Sequence, residues 1–129
     1  MVLRRLGQLE LYRGNLPKAR SLINESLDNN WTIRDYRGIG AALAALAALS
    51  TAQDRGARAA RLFGFVDAIL ELMRTPLIPY DQRQFERDLK VLRQQLDRRT
   101  FATAWEEGRR LTLEQAIEYA LKPKEGRTR

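Results

Sequence analysis

The strongest constraint on the fold of this chain is an internal repeat with a period of 40 residues. Shifting the sequence by 40 positions places leucine on leucine, small residues on small residues and a basic residue on a basic residue, without a gap. The matched pairs are Leu3 with Leu43, Leu6 with Leu46, Gly7 with Ala47, Leu9 with Leu49, Lys18 with Arg58, Ala19 with Ala59, Leu22 with Leu62 and Ile23 with Phe63. Such a period is typical of a supersecondary unit that buries its apolar face by stacking on its neighbours.

The first copy of the repeat has the pattern of two helices. Apolar residues recur at helical spacing as far as Tyr12, and Gly14-Asn15 then breaks the pattern. Pro17 fits the first turn of a second helix, because the N–H that proline lacks has no partner there. We expect this helix to end at Asp28-Asn29-Asn30, so that residues 1–30 form the first repeat.

The second copy repeats this arrangement. Thr32, with Asp35 three residues later, predicts a capping box at the start of a helix that runs to about Gln53. The sequence Asp54-Arg55-Gly56 predicts the turn into the second helix of the pair. Residues 31–74 therefore form the second repeat.

The remaining residues predict three more helices. Pro76 and Pro79 interrupt the helical pattern, and a new helix is expected to begin near Pro79. The sequence Thr112-Leu113-Glu114-Gln115 predicts a capping box for the last helix. Residues 79–122 are thus expected to form a three-helix C-terminal cap, and residues 123–129 a flexible tail. Because no segment has the alternation of a strand, the prediction is an all-α chain of about seven helices in a single domain.

The chain contains no cysteine and no histidine, which limits its chemistry. A disulfide, a thiolate nucleophile, an imidazole base and the usual zinc ligand sets are all excluded within it. The adjacent Glu106 and Glu107 would point about 100° apart on a helix and so would not share a site. Phe101 and Trp105 are expected to anchor the core rather than to form a binding hot spot. We therefore predict a protein that is not an enzyme and uses no metal or cofactor.

No stretch of the sequence is long and apolar enough for a membrane span or a secretion signal. The longest mildly hydrophobic stretch, residues 39–49, is mostly alanine and too short to cross a bilayer. We therefore expect a cytoplasmic location with no membrane partner.

The net charge is +7, and arginine supplies most of it because lysine occurs only at Lys18, Lys90, Lys122 and Lys124. Arg55, Arg58 and Arg61 are spaced as a stripe on one helix and are expected to be solvated. A second basic group contains Arg93, Arg98, Arg99, Arg109 and Arg110. An alternative function is therefore nucleic-acid binding by this surface, although the interleaved aromatic residues that stack on bases are lacking.

The first copy resembles the tetratricopeptide repeat, a helix-turn-helix unit of about 34 residues in its basic form. The resemblance rests on Leu6-Gly7, Gly14-Asn15, Ala19, Ile23 and Ser26. It implies that the first helix of each pair lines a concave face that binds a protein partner. The candidate contact residues on this face are Arg4, Arg5, Gln8, Leu11, Tyr12, Ala44, Ala48 and Thr51.

The alanine-rich wall of this concave face leaves two possibilities. An exposed groove could accept an amphipathic helix from another protein. Because apolar walls seldom stay bare, we expect instead that the helix with Phe85, Leu89 and Leu92 fills it from within.

The second half of the chain resembles the end of the helical-repeat region in large bacterial signalling ATPases of the LuxR type and in related nucleotide-cyclase fusions. The matching segments are Ala59-Ala60-Arg61-Leu62-Phe63-Gly64, Pro76-Leu77-Ile78-Pro79, Phe101-Ala102-Thr103-Ala104-Trp105-Glu106-Glu107-Gly108-Arg109 and Leu113-Glu114-Gln115-Ala116-Ile117. The resemblance implies a regulatory domain that senses or scaffolds protein surfaces within a transcriptional regulator, with DNA contacted only indirectly through the parent chain. A phosphate-binding loop is absent from this chain, so nucleotide binding does not carry over.

Overall fold

The computed structural model describes residues 2–122, and within them every regular element is a helix. The seven helices are α1 (Val2–Tyr12), α2 (Leu16–Thr32), α3 (Tyr36–Ala52), α4 (Gly56–Met73), α5 (Pro79–Gln95), α6 (Arg98–Arg109) and α7 (Leu113–Leu121). The predicted all-α fold of about seven helices is confirmed. The tail predicted for residues 123–129 lies outside the described residues.

Each of the first four helices is followed by a turn, and these four turns have a constant spacing of 20 residues. Each turn contains one residue with a left-handed backbone: Gly14 (φ 82°), Arg34 (φ 59°), Asp54 (φ 63°) and Arg74 (φ 53°). A residue in this conformation ends a helix and redirects the chain. The helix ends also follow the 40-residue offset, since α1 ends at Tyr12 and α3 at Ala52.

The boundary between the two helix pairs differs from the prediction. The α2 helix continues through Thr32, whose hydroxyl donates to the carbonyl oxygen of Asp28 at 2.9 Å. Asp35 is the N-cap of α3, and its carboxylate accepts from the backbone N–H of Gly38 at 3.0 Å. The capping box predicted at Thr32 is therefore wrong, because its hydroxyl bonds back within α2 and the carboxylate three residues later caps α3. The second predicted capping box, Thr112 with Gln115, is confirmed at the start of α7.

The α3 helix is the centre of the fold, and residues 39–47 are all buried. Its alanine-rich sequence allows neighbours to approach from several sides, which a one-sided amphipathic helix does not. The α2 and α4 helices pack along it, while α5 and α7 both contact α3 and α4. Among the described helices, none has both the length and the apolar composition that a membrane span requires.

The α4 and α6 helices cross with their backbones in contact. A Cβ atom added at Gly64 would overlap the carbonyl oxygen of Trp105, and one added at Gly108 would overlap that of Arg61. The two glycines thus form a reciprocal contact in which each helix lies against a peptide group of the other. Phe101 and Trp105 stack beside this crossing with ring centroids 5.4 Å apart, and both are packed against the core.

Candidate functional site

The groove wall on α3 is covered by α5. Ala44 and Phe85 are both buried, and the Phe85 ring meets the Phe63 ring edge to face with centroids 5.3 Å apart. The void that remains among α1, α3 and α5 measures about 10 Å³, roughly the space of one water molecule. The structure therefore has the internal packing expected of the helix with Phe85, and not an open groove.

A buried ion pair joins α5 to α1. Arg4 is only 3% exposed, and its two terminal nitrogens donate to the two carboxylate oxygens of Asp81 at 3.0 and 3.1 Å. Arg5 adds a second guanidinium 3.8 Å from the same carboxylate. A two-pronged pair of this kind fixes both distance and orientation. Because either charge buried alone would be strongly unfavourable, the pair specifies where the first turn of α5 lies.

Two further contacts between α1 and α5 lie beside this ion pair. The guanidinium carbon of Arg5 lies 4.3 Å from the centroid of the Tyr80 ring, and the Tyr12 hydroxyl donates to the Gln84 side-chain oxygen at 3.1 Å. Gln8, which lines the small void, is half-buried. Arg4, Arg5 and Tyr12, which were proposed from sequence as partner contacts, thus contact α5.

The eight candidate residues of the concave face differ in how far they are buried. Arg4, Ala44 and Thr51 are buried, and the Thr51 hydroxyl donates to the Ala47 carbonyl oxygen at 3.0 Å. Leu11 and Ala48 are half-buried. The physical reason is that α5 occupies the groove and removes its apolar wall from water.

Asp81, the acidic partner of Arg4, is a residue of this interface that the sequence pattern did not identify. Its position in the first turn of a helix had an adequate local explanation in the helix dipole. The signal that could have identified it is its place at the start of the same apolar stripe as Phe85 and Leu92, where an exposed acid is not expected.

Asp88 lies in the same interface, one turn beyond Gln84. Burial raises the pKa of the Asp88 carboxyl from 3.8 to about 6, against the opposite effects of the Gln84 side-chain hydrogen bond and the Arg87 charge. The Gln84 amide donates to this carboxylate at 3.1 Å. The charged form of Asp88 is therefore disfavoured when α5 is buried in the groove.

The pKa of Asp88 predicts a pH-dependent stability. Between pH 4 and about 6 the folded chain holds a proton that the unfolded chain has released, so the contribution of Asp88 to stability falls as pH rises through this range. We expect Asp88→Asn to increase the free energy of unfolding at pH 7 by an amount on the order of 1 kcal/mol, discounted for partial solvation. Urea unfolding at pH 4.5 and pH 7 measures this, and an equal effect of the substitution at both values would contradict it.

Arg58 has a role that differs from its prediction. It is 2% exposed rather than solvated, and one of its terminal nitrogens donates to the carbonyl oxygens of Tyr119, Ala120 and Lys122 at 2.8–3.0 Å. Its guanidinium carbon lies 4.8 Å from the centroid of the Tyr119 ring. A cation at this end of α7 donates to the last carbonyl groups of the helix and complements the helix dipole. Arg58 therefore holds α7 onto α4.

Loss of this cap is expected to destabilise the chain. We predict that Arg58→Met lowers the free energy of unfolding by about 2–3 kcal/mol, because carbonyl groups at the end of α7 lose a charged donor. The matched control is Lys18→Met, at the equivalent position of the first repeat, where the side chain is exposed. We expect it to change stability by less than about 0.5 kcal/mol. Urea unfolding would contradict the assignment if both substitutions had the same effect.

Two other arginines of the predicted basic surface, Arg61 and Arg109, are paired with acids. The Nε of Arg61 donates to a Glu107 carboxylate oxygen at 2.7 Å, while Arg109 donates to Asp67 and to Glu71. Arg93 and Arg98 border an open cleft of about 450 Å³ with Phe101. Arg58, Arg61 and Arg109, which the sequence grouped with other arginines as a basic surface, thus have separate structural roles.

Comparisons with protein-family models, with curated proteins and with solved structures found no match. Within residues 2–122, no three acidic side chains are grouped where they could hold a metal ion.

Proposed function

We propose that this chain is a non-catalytic regulatory module that binds protein surfaces, and that α5 is the intramolecular occupant of its binding groove. The observation that carries this proposal is the buried pair of Arg4 and Asp81, which holds α5 against the face that the tetratricopeptide resemblance assigns to partners. A segment that occupies its own binding face can control when that face is available to another helix.

The contacts of α5 are consistent with an exchangeable occupant. Its apolar anchors are few, with Phe85 and Leu92 buried and Val91 exposed. A buried ion pair specifies position more than it adds stability, since hydrophobic replacements of such pairs are often as stable. A cleft of about 370 Å³, lined in part by Arg4 and Asp81, also opens beside the pair. A competing helix that presents a carboxylate to Arg4 would replace what α5 contributes.

The more specific form of this proposal is the sensor or scaffold part of a bacterial transcriptional regulator of the LuxR type, located in the cytoplasm. Its support is the sequence resemblance between residues 59 and 117. An antibody raised against this domain should then detect, in lysate of the source cells, a product several-fold larger than this chain. A product of the size of this chain would contradict the regulator assignment and leave the groove proposal in place.

The groove proposal is tested with a peptide of residues 76–97 that carries a fluorescent label. A tethered helix competes at an effective concentration on the order of millimolar, so the ion pair and one apolar anchor of α5 must both be weakened before the peptide can bind. We expect the chain with Asp81→Asn and Phe85→Ala to bind the peptide with a Kd in the micromolar range, and the unsubstituted chain to bind it at least about tenfold more weakly.

The control is the same peptide with Asp81→Asn, which cannot supply a carboxylate to Arg4. Fluorescence anisotropy should show at least about tenfold weaker binding of this control, since a charge pair is lost. Far-UV circular dichroism establishes that the substituted chain keeps its helices. Equal binding of the two peptides, or no binding to a folded variant chain, would overturn the groove proposal.

A further inference from the structure

The α1 helix has an uncovered apolar face on the side away from the rest of the fold. Val2, Leu6 and Leu9 are 69%, 44% and 52% exposed. Their spacing of four and three residues places them in one row on the helix surface. Three large aliphatic side chains in a row form a continuous apolar strip, which is the kind of surface that a protein partner covers.

The internal repeat identifies what covers the equivalent face of α3. The counterparts of Val2, Leu6 and Leu9 at the 40-residue offset are Ala42, Leu46 and Leu49, which are 0%, 2% and 1% exposed. Gly38, one turn before Ala42 on the same side of α3, lies so close to Asn30 of α2 that an added Cβ would be 2.6 Å from the Asn30 side chain. The helix that covers this row is therefore α2, the second helix of the preceding pair.

The opposite face of α1 packs on the helix that follows it, as the equivalent face of α3 does. A Cβ added at Gly7 would lie 2.6 Å from the Ile23 side chain of α2, so this face packs on the helix that follows. Its counterpart, Ala47, is fully buried in α3. The two equivalent helices thus match on the face toward the following helix, and they differ on the face toward the preceding one.

We propose that the face of α1 formed by Val2, Leu6 and Leu9 docks the second helix of a further helical-repeat pair, packed on α1 as α2 packs on α3. The occupant is an amphipathic helix with aliphatic and small residues on its contact face, antiparallel to α1. This interface lies outside the groove that α5 fills and does not depend on the proposed function of that groove.

The test supplies such a neighbour. A copy of residues 2–41 is placed directly before Val2 in the full chain, so that Ala41 precedes Val2 as it precedes Ala42 in the natural sequence. The added segment then supplies one helix pair and the first turns of the helix that continues into α1. We expect the midpoint of thermal unfolding to rise by about 5 °C or more, and the α1 amides to exchange with deuterium at least about tenfold more slowly.

The control is the double substitution Leu6→Asp with Leu9→Asp. It is made in α1 of the natural chain and in the same helix, not in the added copy, of the extended chain. Because both side chains are exposed, we expect a shift below about 2 °C in the natural chain and loss of the whole gain in the extended chain. An extended chain with no gain in midpoint or amide protection would overturn the proposal. Sedimentation that shows the natural chain to be a dimer, dissociated by these substitutions, would also overturn it, since the occupant would then be a second copy.

Discussion

Asp81→Ala is expected to lower the free energy of unfolding by about 3–5 kcal/mol, the cost of leaving one partner of a buried ion pair without the other. The substitution removes the carboxylate that accepts two hydrogen bonds from the buried Arg4, at 3.0 and 3.1 Å. The α5 helix should lose protection against amide exchange before the rest of the chain. Urea unfolding and hydrogen exchange measure the two effects.

Two controls separate the loss of pairing from the loss of any acid on α5. Glu86→Ala removes an exposed carboxylate five residues away and should change stability by less than about 0.5 kcal/mol. Replacing both partners, Arg4→Met with Asp81→Leu, should recover most of the stability, because no charge is then left buried alone. A double variant as unstable as Asp81→Ala would mean that the pair itself is not the cause.

Gly108→Ala is expected to lower the free energy of unfolding by about 2–3 kcal/mol, although alanine favours a helix over glycine by up to about 1 kcal/mol. The added methyl group would overlap the backbone of Arg61, which cannot move aside as a flexible side chain could. The α4 and α6 helices would then have to separate, and the Phe101–Trp105 stack beside the crossing would shift. Urea unfolding gives the energy, and tryptophan fluorescence reports the local change.

Gly40→Ala is the matched control for this prediction. A Cβ at Gly40 would lie 3.7 Å from a methyl group of Leu70, an ordinary van der Waals distance. We therefore expect a neutral effect or a gain of up to about 1 kcal/mol from the higher helix propensity of alanine. If Gly108→Ala were as stable as Gly40→Ala, the backbone contact between α4 and α6 would not be what limits residue size at position 108.

The sequence by itself determined where the helices lie and how they repeat. These features have local causes: apolar residues at helical spacing, prolines at a first turn, and Thr112 paired with Gln115 three residues away. The 40-residue offset in the sequence is also the distance between the ends of α1 and α3 along the chain. The local signals were insufficient where two of them competed, as with Thr32 and Asp35, since either side chain can cap a helix and the structure uses Asp35.

Only the tertiary structure decided what the charged residues do. Arg4 lies 77 positions from Asp81, and Arg58 lies 62 positions from the Ala120 carbonyl group that it binds. Their sequence neighbourhoods are those of ordinary solvated arginines, so no local pattern separates them from Lys18 or Arg5. Whether a charge is buried depends on which helices meet over it. The filled groove and the cap on α7 therefore arise from contacts between distant segments, whereas the open face of α1 becomes visible when its exposure is compared with that of its repeat counterpart.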